Sequence, residues 1–114
     1  MDNMNPDIWG SSVWNTIHYI SFNYPLAPTD DDKNNIKIFL LNLQHILPCA
    51  KCREHYKLNL IKYPIDDNVL SSKLNLFKWT NDLHNEVNRM NGKAEMSLQD
   101  AFNLYSKQNY NKDE

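Results

Sequence analysis

Glycine occurs only twice in this chain of 114 residues, at Gly10 and Gly92. Tight hairpins draw on glycine for backbone conformations that other residues avoid, so an all-β fold is disfavoured. The same scarcity excludes the common phosphate-binding loops. A dinucleotide fingerprint needs several glycines in one turn, and a Walker loop needs a glycine pair followed by Lys and Ser or Thr. Any nucleotide-containing cofactor must therefore be held by side chains on helices.

Helical periodicity fills most of the chain and no segment alternates with period two. Val13, Ile17, Ile20 and Tyr24 form one stripe of a helix that opens at Pro6 and stops at Tyr24-Pro25. A second helix is expected from Thr29 or Asp30, with Asp30, Asp31 and Asp32 at the positive end of its dipole, the stripe Ile36, Leu40, Leu43, Leu47, and Pro48 as its stop. A third runs from Cys49 to about Ile61, before Tyr63-Pro64. The stretch from Ile65 to Asn68 reads as a polar loop, with Ser71 or Ser72 capping the next helix. That fourth helix carries Leu76, Leu83, Val87 and Met90, and Gly92 stands where a helix-ending glycine belongs. Ser97 and Asp100 resemble a capping box for a fifth helix bearing Leu98, Ala101, Phe102 and Tyr105. The expected fold is all-α: a four-helix bundle with a short fifth helix across one end. Residues 1–108 form one domain and 109–114 a polar tail.

Charge and composition exclude several partners. A formal net charge of −2, with Lys and Arg scattered, gives no field to attract nucleic acid or an anionic membrane. No apolar run approaches the roughly 18 residues of a membrane-spanning helix. No basic segment followed by an apolar stretch opens the chain, so a secretory leader is not expected. Seventeen asparagines, with many Lys and Ile, hint at an AT-rich genome.

The two cysteines are Cys49 and Cys52. Following Pro48, they fall on the first turn of a helix, where free N–H groups and the dipole favour thiolate over thiol. Lys51, Arg53 and His55 add positive charge. Spacing of i, i+3 puts the sulfurs within disulfide reach. The motif alone leaves three readings: a redox dithiol, half of a zinc site, or two small buried side chains. A closed zinc site needs four ligands, and Cys49, Cys52 and His55 offer three.

Two helices carry rings and hydrogen-bonding groups beside their apolar stripes. Trp14 and His18 are one turn apart, with Ser21 continuing their face; Trp79, His84, Asn85 and Asn88 border the fourth stripe. Any one of these is ordinarily a core or boundary residue. Together they suit the mouth of a bundle that admits a large planar ligand with polar edges.

The ordered set Trp9-Gly10, Trp14, His18, Tyr24-Pro25, Cys49-x-x-Cys52-x-x-His55-Tyr56, Trp79, His84-Asn85-x-Val87-Asn88 and Gly92-Lys93 resembles the Erv/ALR family of FAD-dependent sulfhydryl oxidases. The resemblance runs from about Pro6 to Ser106 and is closest to members from large DNA viruses. It implies FAD held by a helical bundle, and no metal. Cys52 would lie against the flavin C4a and Cys49 would receive electrons from substrate. Trp14 and His18 would contact the ring or adenine side, with Gly10 allowing close approach. His55, His84, Asn85, Asn88 and Lys93 would hold adenosine and pyrophosphate, while Val87 and Trp79 pack on ring surfaces. Tyr56 and Tyr105 fit either the site or the core.

The resemblance further implies a dithiol protein as substrate, a thioredoxin-like carrier among the candidates, with molecular oxygen as electron acceptor and hydrogen peroxide as product. It also implies a non-covalent homodimer through the first two helices, for which the Ile36, Phe39 and Leu43 region would serve either as surface or as core. For a viral chain the expected place is the infected cell's cytoplasm or the virion; for a cellular one, the mitochondrial intermembrane space. The competing reading is a non-enzymatic helical module with a CxxC-based zinc site. Two departures matter. Many cellular members carry a further cysteine pair beyond the position of Lys93 that ties down the bundle's end, so Phe102 and Tyr105 must do this here by packing. A shuttle dithiol, common elsewhere, is also missing from these residues.

Overall fold

The structure, a computed structural model, describes residues 3–109. Six helices follow in order: α1 (Pro6–Phe22), α2 (Asp30–Ile46), α3 (Ala50–Lys62), α4 (Asp67–Leu70), α5 (Lys73–Met90) and α6 (Leu98–Asn109). No strand occurs among the described residues. The all-α expectation holds. Of the expected C-terminal tail, residues 110–114 lie outside the described residues.

Local chemistry sets the helix boundaries. Asn5 caps α1 by accepting from the Asp7 N–H at 3.0 Å, ahead of Pro6 in the first turn. Thr29 and Asp32 form a reciprocal capping box on α2, at 3.1 and 2.9 Å. Ser72 caps α5 and Ser97 accepts from Asp100 N–H at the start of α6. At the end of α5, Lys93 N–H donates to Asn88 O at 2.8 Å and Gly92 N–H to Arg89 O at 3.3 Å. With Gly92 at φ +67°, this is a Schellman closure.

One expected loop is a helix. Ile65 and Leu70 are buried, and Asp66 accepts from Val69 N–H at 2.9 Å to cap the single turn of α4. The acids and Asn of this stretch conceal two apolar anchors, Ile65 before the turn and Leu70 at its end.

Helix α1 packs on α5, α2 on α3, and α6 on both α1 and α5. Leu40, Leu43, Leu47, Leu76 and Leu83 occupy the core as their stripes require. Other stripe positions face outward: Ile20, Met90 and Phe102 are 38%, 47% and 41% exposed. On α1 the reason is rotation. Covered by α5 and α6, it buries Ile17, His18, Ser21 and Phe22, a face that includes two polar residues.

Aromatic packing holds α6. Tyr105 is buried and its OH donates to Asn15 Oδ1 at 3.0 Å, while Phe22, Phe77, Ala101 and Tyr105 form a satellite core. Phe102 contributes ring contacts to Phe22 and Phe77. A second anchor was not apparent in the sequence. Asn81 and Asn85 Nδ2 donate to Met96 O at 3.1 and 2.7 Å, and Met96 N–H donates back to Asn85 Oδ1 at 2.9 Å. Glu86, joined by Lys62, Tyr63 and Arg89, ties the end of α3 to α5.

Gly92→Ala is expected to lower stability by about 1 kcal/mol, because an L-residue there must adopt the left-handed conformation. A urea midpoint unchanged from the parent protein would contradict this role for the turn.

Candidate functional site

Cys49 is the N-cap of α3, with extended backbone (φ −158°, ψ 123°). Its Sγ accepts from the Cys52 N–H at 3.3 Å, so the sulfur caps its own helix. The preceding turn is held as well: Leu47 O accepts from Cys49 N–H at 2.8 Å and from Arg53 Nη1 at 2.5 Å. Both cysteines are free thiols and half-buried.

Their titration is asymmetric. The Cys49 thiol is lowered from its ordinary value, chiefly by the hydrogen bond from Cys52, and further by backbone N–H groups and the Arg53 charge. Burial is the main cause that pushes Cys52 up to about 11, followed by its hydrogen bond to Cys49 and the charge on that sulfur. A helix N-terminus was expected to favour thiolate at both sulfurs. The structure corrects this for the reduced pair: Cys49 takes the first negative charge and Cys52 keeps the proton.

Cys52 also packs against the apolar cluster that contains Trp79 and Leu83, and Trp14 packs on that same cluster. This brings three sequence-selected residues from three helices onto one core. Trp79 is buried, and its Nε1 donates to Tyr63 O at 2.9 Å.

A polar chain crosses from α1 to α5. The Trp14 and His84 rings stack at 4.2 Å and 5° between planes. His18 Nε2 lies 2.9 Å from His84 Nδ1, and His18 Nδ1 lies 3.3 Å from Thr80 Oγ1. The Thr80 hydroxyl donates to Phe77 O at 2.7 Å, and the Ser21 hydroxyl to His18 O at 2.9 Å. Proton accounting then assigns the tautomers. With its proton spent on Phe77, Thr80 accepts from His18 Nδ1–H; His18 Nε2 must accept from His84 Nδ1–H. That leaves His84 Nε2 with a lone pair. Thr80 gives no signal in the sequence, because a lone hydroxyl beside the apolar stripe forms no motif.

Both histidines are neutral near pH 7. Burial and the neighbouring His84 take His18 down to about 3, while burial and the Lys93 charge take His84 down to about 4. Lys93 thus brings positive charge to the half-buried His84.

The remaining expected residues divide. His55, Val87 and Asn88 are half-buried on α3 and α5, and Gly10 is half-buried on α1. A Cβ at Gly10 would meet nothing within 4 Å. No protein neighbour therefore requires glycine there. Asn85 differs from expectation, since both ends of its amide are engaged by Met96. Tyr56 belongs to the core, with its OH donating to Leu40 O at 2.5 Å. Asn59, unremarked in the sequence, shares the α3 face of Cys52 and Tyr56; its buried Nδ2 has no acceptor among the described residues. No group of three or more Cys, His, Asp or Glu among the described residues converges as a metal site, so the zinc reading lacks a ligand set.

Known proteins resemble this chain over most of its length. Residues 11–110 match the Erv1 / Alr family. The chain belongs to the Erv1 / Alr family. It is 41% identical to a probable FAD-linked sulfhydryl oxidase of Acanthamoeba polyphaga mimivirus, covering 91% of this chain and 73% of that protein. It is 35% identical to the mitochondrial FAD-linked sulfhydryl oxidase of Saccharomyces cerevisiae, covering 74% of this chain and 44% of the yeast protein. The crystal structure of the FAD-binding domain of yeast Erv1 superposes with a TM-score of 0.83 at 26% identity, over 96% of this chain and all of that domain.

For this Erv1 / Alr chain the buried histidine pair sets an acid limit. The unfolded chain protonates histidine near 6.5, whereas the folded values are about 3 and about 4. Below 6.5 the unfolded state binds more protons, so stability is fully present above that pH and falls as acid is added. Urea midpoints should decline between pH 6.5 and 4.5, a window above the ordinary carboxylate range. His84→Gln should flatten that decline; an equal slope in the variant would rule out the pair as its source.

Proposed function

We propose that the chain is an FAD-dependent sulfhydryl oxidase that forms disulfide bonds in dithiol proteins and passes the electrons to oxygen, giving hydrogen peroxide. The observation that carries this reading is the Cys49–Cys52 dithiol at the start of α3, with Cys52 packed against the cluster shared with Trp14 and Trp79.

The residues fit the cofactor. Trp14 and His84 offer flat, half-buried faces, Gly10 leaves open space, Lys93 supplies positive charge for phosphate, and Asn59 holds an unpartnered buried donor. We assign Trp14, His18, Trp79 and Val87 to the ring systems, and His55, His84, Asn88 and Lys93 to the adenosine and pyrophosphate. Asn85, committed to Met96, contributes by fixing the segment that follows Lys93. Bound FAD would supply a two-electron acceptor that oxygen can reoxidise.

The chain's own part is thiol–disulfide exchange. In the oxidised pair, a substrate thiolate attacks Cys49 Sγ; the Cys49–Cys52 bond breaks and Cys52 leaves as thiolate. A substrate–Cys49 disulfide has formed. The second substrate thiolate attacks the substrate sulfur of that bond, releasing Cys49 as thiolate and substrate as its disulfide. Two electrons now reside on the pair. The N–H groups at the start of α3 stabilise the negative charge on Cys49. A dithiol protein of the thioredoxin-like kind is a suitable substrate because its paired thiols complete both attacks.

Cys52→Ser should lower oxygen consumption with dithiothreitol by roughly a thousandfold or more while leaving the flavin absorbance near ~450 nm. Normal turnover in that variant would sink the proposal. A colourless wild-type protein binding about one zinc would support the helical-module alternative instead.

We further infer a non-covalent homodimer through α1 and α2. Ile20, Tyr24, Pro25, Ile36 and Phe39 line an open groove of about 250 Å³, whereas Leu43 belongs to the core. Phe39→Glu should convert the dimer to monomer in sedimentation; a monomeric wild type would refute this. No described helix is long and apolar enough to cross a membrane. With relatives in large DNA viruses and in yeast mitochondria, the compartment follows from the source: virion or host cytoplasm for a viral chain, the intermembrane space for a cellular one.

A further inference from the structure

The segment before α1 is bonded to the turn that carries the redox cysteines. Met4 N–H donates to Pro48 O at 2.7 Å. Asn3 Oδ1 accepts from Ala50 N–H at 2.8 Å. These two bonds bracket Cys49 on both sides along the chain. The segment is itself tied to α1, because Trp9 Nε1 donates to Met4 O at 2.9 Å. A continuous path thus runs from the Trp9 indole through Met4 and Asn3 to the residues flanking Cys49.

We propose that Asn3, Met4 and Trp9 form a clamp that holds the Pro48–Ala50 turn in the geometry in which Cys49 caps α3. Asn3 and Trp9 are positioning residues, since they act through Met4 and the residues on either side of Cys49.

The physical argument concerns the N-cap geometry. Cys49 must keep an extended backbone for its Sγ to reach the Cys52 N–H. Pro48 lacks an N–H, so the turn cannot be pinned through that group. The Cys49 N–H is used on Leu47 O. The other groups that can fix the turn from outside are the Pro48 carbonyl and the Ala50 amide, and the clamp takes both. Ala50 N–H is also one of the helix's unsatisfied first-turn donors, which Asn3 satisfies from 47 residues away in the chain. Freed from the clamp, the turn would sample conformations in which Cys49 Sγ leaves the helix N-terminus. The thiolate would then lose backbone donors that now favour it. The segment therefore acts on how readily Cys49 ionises, and hence on its reactivity as a leaving and attacking group.

This inference rests on the reading of Cys49–Cys52 as the working dithiol, and the experiment separates the two. Flavin-loaded protein is reduced anaerobically and pulsed with iodoacetamide across pH 5.5 to 10. Tryptic cleavage after Lys51 puts Cys49 and Cys52 on different peptides, so mass spectrometry follows Cys49 alone. Asn3→Ala removes the acceptor, and Trp9→Phe removes the indole donor while keeping an aromatic ring. Each should move the Cys49 midpoint up by about 0.5–1 pH unit, a loss of roughly three- to tenfold in thiolate at neutral pH. The double variant should shift no further than the larger single one, because both act through the same segment. Asn3→Gln, which retains an acceptor, should recover part of the shift. Cys49 profiles superimposable on the wild type in both single variants would overturn the clamp, as would shifts that simply add. A wild-type Cys49 that titrates as an ordinary thiol and never forms a disulfide with Cys52 would instead remove the functional reading beneath it.

Discussion

The hydrogen bond between His18 on α1 and His84 on α5 is the join on which the rest of this bundle depends. It is made inside the protein, between neutral rings whose protonation burial opposes. Apolar stripes alone would let two helices slide or rotate against each other with modest loss, because hydrophobic contact is non-directional. A chain of donors and acceptors from His84 through His18 to Thr80 does not permit this. Rotating α1 by one residue would break the chain and leave buried groups unsatisfied, at about 1–3 kcal/mol each. The pairing therefore selects one registry of α1 against α5. That registry sets Trp14 flat against His84, and it turns Ile20 away from the interior.

The same economy operates at α3. Its first-turn N–H groups must find acceptors, and no Ser, Thr, Asp or Asn stands at its N-cap. Cys49 fills the position with sulfur. A weaker acceptor than oxygen, sulfur gains more from the site when ionised, so helix capping and thiolate stabilisation become one interaction. Cys52, three residues on, faces the apolar cluster and is penalised for charge by that burial. The difference between the two sulfurs therefore comes from position on a single turn. One is exposed to backbone donors and the other to hydrocarbon, and this difference orders the reduced pair.

Much of the fold was legible from periodicity and its interruptions. Pro25, Pro48 and Pro64 stop their helices for a reason that any sequence displays, and Gly92 has the positive φ expected of a helix-ending glycine. The core leucines of α2 and α5 followed from the same spacing. What periodicity could not disclose was which polar residues lie inside. His18, Ser21, Thr80 and Asn81 are buried because each finds a partner on another part of the chain, and partners far apart in sequence leave no local trace. Helix α4 was hidden for a related reason. Its polar composition suggested a loop, and only the burial of Ile65 and Leu70 against the bundle makes one helical turn worthwhile. Trp14, His18, Cys52, Trp79 and His84 were selected by type and spacing, and the structure stacks Trp14 on His84, bonds His84 to His18 and packs Cys52 on the cluster that holds Trp79. Asn85 was selected for the right place, but its amide bonds the backbone of Met96.

That use of Asn85 bears on how a protein of this chemistry stays intact. The segment between α5 and α6 must be fixed, since it brings Lys93 near His84 and leads into the helix that covers His18 with Tyr105. A disulfide could fix it, yet any added thiol would be exposed to exchange with Cys49 and with substrate. This stretch is held by a Schellman turn, by two asparagine amides on one peptide unit and by ring packing, none of which exchanges with thiols. Cys49 and Cys52 are the only cysteines in these 114 residues. They are therefore the only residues of the sequence able to form a disulfide, and the segment between α5 and α6 is held without one.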